Sequence, residues 1–128
     1  MTKKFQQWIS KKEELHNRGS FPHFNERDVY WCGIGENIGD EENGKSDLFS
    51  RPVLVIRKFN KNLFWGVPLT RQVKDNPYYT KITFKGLEQC AMITHLRLMD
   101  AKRLYGRSLG RLDKNEFDKI RDSIKSCV

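Results

Sequence analysis

Two neighbouring runs of β-branched and aromatic residues constrain the fold of this chain most. They span residues 50–56 and 64–70, and a short polar turn at residues 60–62 lies between them. This pattern predicts an antiparallel hairpin. Arg51, at the start of the first strand, and Thr70, at the end of the second, then emerge at the same end of the sheet. A guanidinium beside a hydroxyl is suited to binding a phosphate group.

Further short strands with regularly spaced turns predict a mainly β domain. Strands are expected at residues 28–33, 52–58, 63–69, 79–84, 90–94, 95–100 and 104–109, and helices at residues 3–17 and 114–127. Closely spaced strands of this kind favour a small, curved antiparallel barrel. The predicted class is therefore α+β, mainly β, with one helix at each end of a single domain spanning residues 1–128. The loop at residues 35–50 is long for so small a domain.

The two terminal helices are predicted from apolar periodicity. The first places four apolar side chains near one face, namely Phe5, Trp8, Ile9 and Leu15. Packing of this face on the domain is the main interpretation, and docking of a partner on Trp8 is the alternative. Asp113 and Glu116 form a capping-box pattern that predicts the start of the second helix.

The cysteine pattern argues against disulfide bonds and against a structural metal site. Cys32, Cys90 and Cys127 are odd in number and widely spaced, with no C-x-x-C pair, so neither a disulfide framework nor a zinc site is expected. Cys32 and Cys90 are predicted to be buried thiols. Trp31 and Trp65 are predicted to lie in the core, although Trp65 could instead offer a stacking face.

The chain contains no segment that suggests a membrane or export. No run is long and apolar enough to span a bilayer, and residues 1–5 lack the apolar core of a secretory signal. We therefore expect a cytoplasmic protein without a membrane partner.

The formal net charge of +8 is distributed unevenly along the chain. Residues 1–34 carry a net charge of +2, residues 35–50 carry −4, and residues 51–128 carry +10. A basic body interrupted by an acidic loop is typical of a protein that binds a polyanion. A basic surface without such a partner is the alternative.

Five segments, in their order along the chain, resemble the MazF/PemK family of toxins. They are Val29-Tyr30-Trp31, then Gly39-Asp40-Glu41-Glu42-Asn43-Gly44, then Arg51-Pro52-Val53-Leu54-Val55-Ile56, then Pro68-Leu69-Thr70, and finally Arg97-Leu98-Met99-Asp100 with Lys102-Arg103-Leu104 after it. The resemblance covers about residues 26–128 and includes the last helix. The helix at residues 3–17 lies outside it, as an N-terminal extension.

The resemblance implies a CcdB/PemK-like toxin fold and a function. It implies a homodimer with metal-independent endoribonuclease activity on single-stranded RNA, often mRNA, without a cofactor. A cognate antitoxin would block the RNA groove. By similarity, Arg51 and Thr70 form the catalytic pair.

Three further residues are candidate RNA contacts. Arg71, beside Thr70, is a candidate phosphate contact. Glu41 could accept a hydrogen bond from a base edge, or it could be a solvated loop charge. The resemblance places His95 near the groove, where it could carry a proton or stack on a base; a structural hydrogen bond is the alternative.

Two departures from the family pattern leave other functions open. Residues 45–50 lengthen the loop before Arg51, and Thr94 occupies a position where some members have an acidic residue. A non-catalytic RNA-binding or protein-docking module on the same fold is therefore one alternative. A gyrase poison, as in the CcdB branch of the fold, is another.

Overall fold

The predicted helices and strands are present near the predicted bounds, except that the strand predicted at residues 90–94 begins earlier, at Leu87, and ends at Met92. The computed structural model describes residues 4–19, 21–35 and 50–128. The helices are α1 (Phe5–His16) and α2 (Lys114–Ser126). The strands are β1 (Asp28–Gly33), β2 (Ser50–Lys58), β3 (Leu63–Thr70), β4 (Tyr79–Phe84), β5 (Leu87–Met92), β6 (Arg97–Asp100) and β7 (Leu104–Arg111). Short 3₁₀ turns, Ile93–His95 and Ala101–Arg103, flank β6.

The strands of the described residues form one antiparallel sheet. Its strand order is β4-β5-β3-β2-β1-β7. The remaining strand, β6, pairs with β3 and lies outside this linear order. The predicted hairpin of β2 and β3 is confirmed, with Val53 opposite Pro68. The first half of β3 pairs with β6 and its last two residues pair with β5, so β3 is the centre of the sheet.

The sheet curves until its two end strands approach each other. Gly110 of β7 faces Phe84 of β4, and a Cβ at Gly110 would lie 3.2 Å from the Phe84 ring. No hydrogen-bonded pairing between β4 and β7 occurs among the described residues. The predicted class, α+β and mainly β, is therefore confirmed, with a strongly curved sheet in place of a closed hydrogen-bonded barrel.

Two apolar clusters fill the two faces of this sheet. The first joins one face to α2 and contains Val29, Leu54, Val67, Leu69, Ile82, Phe84, Ala91, Ile93, Leu112, Phe117 and Ile120. The second contains Phe24, Tyr30, Cys32, Ile34, Val53, Val55, Phe64, Met99, Ala101 and Leu104. Cys32 and Cys90 are buried, as predicted. Burial raises the pKa of the Cys32 thiol to about 12, so this group stays a neutral apolar filler.

Helix α1 packs on the rim of the sheet through only part of its predicted face. Trp8 and Leu15 are buried, whereas Phe5 and Ile9 are exposed. The Trp8 ring lies against Gly35, and Leu15 lies against Gly33. The prediction that Trp8 packs on the domain is thus confirmed. The prediction that all four apolar residues share one packed face is wrong, because Phe5 and Ile9 are exposed. Neither described helix is long and apolar enough to cross a membrane.

Helix α2 begins without the predicted capping box. Asp113 is the N-cap residue but forms no side-chain capping bond. Glu116 instead accepts a hydrogen bond from the backbone N–H of Thr83, at 3.1 Å, and another from Lys119, at 2.9 Å. The Lys119 bond lowers the pKa of the Glu116 carboxyl. The carboxylate thus accepts a hydrogen bond from the unpaired edge of β4, where a free N–H would otherwise be available to another chain.

Candidate functional site

Arg51 and Thr70 meet at one end of the β2–β3 hairpin. Continuing the register of Val53 and Pro68 by two residues brings Arg51 opposite Thr70. Both residues line a single cavity of about 560 Å³. That volume lies within the range of ligand sites. The placement predicted from the two sequence runs is therefore present in the fold.

The cavity combines an apolar wall with cationic groups. The apolar lining consists of Trp31, Pro52, Leu69, Phe84, Leu87 and Leu109, and the polar lining of Ser50, Arg51, Thr70, Arg71, Lys85 and Gln89. None of these described lining residues carries a carboxylate or an imidazole. Cationic groups beside an apolar wall suit a ligand that has both a phosphate and a flat apolar part.

The Thr70 hydroxyl is oriented by a local hydrogen bond. Thr70 is only 7% exposed, and its Oγ1 accepts the backbone N–H of Gln72 at 3.2 Å. This turn uses the oxygen as an acceptor and leaves the hydroxyl hydrogen available to donate. A ligand oxygen in the cavity is therefore a fitting acceptor for Thr70.

The three cations come from three different elements. Arg51 is half-buried on β2, Arg71 is exposed directly after β3, and Lys85 lies in the turn between β4 and β5. Lys85 has a φ of 51°, and its ammonium group lies 5.9 Å from the centre of the Phe84 ring. The curvature of the sheet, which brings β4 round toward β7, brings these charges to one cavity.

One predicted RNA contact within the described residues is not brought to this cavity. His95 lies in the short turn after β5, where its Nδ1 is 3.3 Å from the hydroxyl of Thr94, and it is not among the lining residues. Glu41 lies outside the described residues. Of the predicted site residues that the structure describes, Arg51, Thr70 and Arg71 are therefore brought together and His95 is not.

Trp31 and Gln89 line the cavity although the sequence did not single them out for it. The predicted core position of Trp31 is wrong, because its side chain is 43% exposed and borders the cavity. Trp31 follows buried Val29 on the same strand face, but it lies opposite Pro52 and beyond the end of the apolar cluster. Its sequence context resembles that of a core residue and carried no separate signal for the cavity. For Gln89 the sequence carried no signal.

Trp65 is also exposed, on a different surface. Its side chain is 42% exposed, so its predicted core position is wrong as well. The Trp65 ring packs edge-on against Phe59 with centroids 5.1 Å apart, and it borders a separate pocket with Arg57. Trp65 therefore has no part in the cavity of Arg51 and Thr70.

The sequence matches one protein family over most of its length. Residues 25–128 match the family described as PemK-like, MazF-like toxin of type II toxin-antitoxin system. No curated protein matches the sequence.

Solved structures share the fold at low sequence identity. MazF from Deinococcus radiodurans is 18% identical, with a TM-score of 0.63 over 84% of this chain and 96% of that one. An endoribonuclease in complex with its cognate antitoxin, from a mycobacterial species, is 17% identical, with a TM-score of 0.60 over 82% and 92% of the two chains. A MazE–MazF structure from Deinococcus radiodurans is 15% identical, with a TM-score of 0.58 over 84% and 95%.

Proposed function

Because the chain belongs to the PemK-like, MazF-like toxin family of type II toxin–antitoxin systems, whose members are known as endoribonucleases, we propose that it cleaves single-stranded RNA without a metal ion. One observation carries this proposal. Arg51, Thr70 and Arg71 line one cavity within the segment that matches the family.

The proposed reaction uses the ribose 2′-hydroxyl as its nucleophile. The 2′-oxygen bonds to the adjacent phosphorus, and the bond from phosphorus to the 5′-oxygen breaks. The products are a 2′,3′-cyclic phosphate and a free 5′-hydroxyl, and the 2′ proton passes to a base while a proton is added to the leaving oxygen. RNA, unlike DNA, supplies this nucleophile itself.

The cavity residues have distinct roles in this reaction. The Arg51 guanidinium grips two phosphate oxygens and offsets the charge that develops on them. Because arginine stays protonated, it acts as the clamp and not as the base. The Thr70 hydroxyl donates to a non-bridging oxygen, and Arg71 contacts a neighbouring phosphate. His95 and Glu41 stay predictions as proton carrier and base contact.

The same site suits control by an antitoxin. The solved relatives include a toxin in complex with its cognate antitoxin and a MazE–MazF structure. Residues 51–128 carry a net charge of +10, so an acidic antitoxin segment would compete with RNA for the cationic cavity. We expect such an antitoxin and a homodimeric toxin, with release of the toxin arresting growth.

RNA cleavage in the presence of a chelator tests this function. Cleavage should persist with EDTA and leave cyclic-phosphate ends, and Arg51→Ala should slow it on the order of 10²- to 10³-fold, as loss of an oxyanion donor does. Arg57→Ala is the matched control, because it removes the same charge from the exposed far end of β2.

Three results would contradict the proposal. Equal cleavage by Arg51→Ala and the parent would exclude the assigned site. Salt-dependent RNA binding without turnover would favour a non-catalytic binding module. Growth arrest with intact RNA and damaged DNA would favour a gyrase poison.

A further inference from the structure

A nearly buried carboxamide borders the cavity without a hydrogen-bond partner. Gln89 on β5 is 7% exposed and lines the cavity. Its carboxamide makes no hydrogen bond within the described part of the chain. Every fully buried polar side-chain atom of the described residues does have a partner. The polar atoms of Gln89 therefore stay in contact with solvent, and the cavity is where that contact occurs.

The position of Gln89 is fixed relative to the phosphate-binding pair. Thr70 pairs with Cys90, the residue that follows Gln89. On the other side of the hairpin, Arg51 pairs with Cys32, the residue that follows Trp31. The strand order β5-β3-β2-β1 then places Gln89 and Trp31 on the two strands that flank those of Thr70 and Arg51. Because side chains alternate along a strand, Gln89 and Trp31 point to the other face of the sheet from Thr70 and Arg51, and all four residues meet at the cavity.

The distance across these four strands fits a short stretch of nucleic acid. Neighbouring strands lie about 4.8 Å apart, so the row is about 14 Å wide before its side chains are added. A phosphate held by Arg51 and Thr70 at this end of the sheet leaves room in the cavity for one base toward β5 and one toward β1. The two sides offer different chemistry, a carboxamide at Gln89 and an indole at Trp31.

We propose that Gln89 reads the edge of one base beside the bound phosphate, while Trp31 stacks on the base at the other side. This inference rests on the proposed function for the identity of the ligand as single-stranded nucleic acid. A carboxamide offers one donor beside one acceptor and pairs in a bidentate way with an unpaired adenine. Stacking on an indole tolerates any base, because every base has a flat apolar face.

The two roles give different signatures in a binding experiment. Short homo-oligodeoxynucleotides of adenine, cytosine or thymine lack the 2′-hydroxyl, so the proposed reaction cannot consume them. Their affinities are measured by fluorescence anisotropy with the full chain. The parent should prefer adenine. Gln89→Leu should remove on the order of a tenfold to hundredfold preference.

Trp31→Ala should act on affinity and leave the preference in place. It should weaken binding of all three oligonucleotides by a similar factor, on the order of ten to one hundred. Trp65→Ala removes an equally exposed indole on another surface, and Gln7→Leu makes the same glutamine change on exposed α1. Both controls should bind as the parent does, and circular dichroism confirms that each variant is folded.

The result is separable from the ribonuclease proposal. A parent without base preference, or a preference that survives Gln89→Leu, would overturn the role of Gln89. Unchanged affinity in Trp31→Ala would overturn the stacking role. A Gln89-dependent base preference in a protein that never cleaves RNA would support the role of Gln89 and contradict the proposed ribonuclease function. RNA cleavage with a base preference that does not depend on Gln89 would support the ribonuclease function and contradict the role of Gln89.

Discussion

At the scale of single residues, Thr70 shows how local bonding prepares a side chain for a ligand. The end of β3 buries Thr70, and the turn that follows supplies the Gln72 N–H to its oxygen. The hydroxyl is therefore held by the protein before any ligand binds, which reduces the conformational entropy lost on binding. A threonine with a freely rotating hydroxyl would lack this advantage.

Replacing Thr70 tests whether the hydroxyl or the side-chain shape matters. Thr70→Val should slow RNA cleavage on the order of 10²-fold, because it removes the donor to the phosphate. It should also cost about 1 kcal/mol of stability, because the Gln72 N–H loses its acceptor. Thr70→Ser keeps the hydroxyl and should stay close to the parent. Single-turnover cleavage and urea unfolding measure the two effects. Equal cleavage by the valine and serine variants would remove Thr70 from the mechanism.

At the scale of elements, α1 lies outside the segment that matches the family, and a few contacts hold it on the domain. The helix precedes the segment that matches the family. The Arg103 guanidinium lies 6.0 Å from the centre of the Trp8 ring and donates to the carbonyl of Gly33 at 2.9 Å. Burial lowers the pKa of Arg103. Trp8 also lies against Gly35, so α1 is attached to the end of β1 that borders the cavity.

Substitutions on α1 test this attachment. Trp8→Ala should lower the free energy of unfolding on the order of 3 kcal/mol, because it opens a cavity beneath the helix. Ile9→Ala, on the exposed side of the same helix, should change it by less than about 0.5 kcal/mol. Urea unfolding followed by circular dichroism measures both. Equal effects of the two substitutions would mean that α1 is not held through Trp8.

At the scale of the whole molecule, the fold gathers part of the excess positive charge at one cavity. Arg51, Arg71 and Lys85 belong to three separate elements and share one cavity. Other cations lie at the opposite end of the hairpin, where Lys58 and Lys61 border a different pocket. The cavity is therefore one cationic site among several, and its contribution is measurable separately from the total charge.

The salt dependence of RNA binding tests that contribution. Each phosphate neutralised on a single strand adds about 0.7 to the slope of log affinity against log salt. Lys85→Asn removes one charge with a residue that tolerates the positive φ of this turn, so it should lower the slope by about 0.7. Lys61→Asn, in the turn at the far end of the hairpin, should leave the slope unchanged. Equal slopes for the parent and Lys85→Asn would mean that Lys85 contacts no phosphate.

Much of this fold was predictable because its strands and turns are local patterns. The β2 and β3 runs, the polar turn between them and the apolar face of α2 each act over a few residues, so their bounds followed closely from sequence. The hydrogen bonding of Glu116 could not be predicted from its local sequence. Its spacing from Asp113 predicted a capping box, yet its carboxylate binds the backbone of Thr83, which is remote in sequence.

The sequence by itself determined that Arg51 and Thr70 lie at one end of a hairpin, because strand pairing across a short turn leaves few other registers. Only the tertiary structure decided what surrounds them. Trp31 and Trp65 have similar local sequence signals, yet the curvature of the sheet places one in the cavity and the other on a different surface. Gln89 faces the cavity for the same reason. Curvature and strand order depend on contacts between residues far apart in the chain, and no local pattern encodes them.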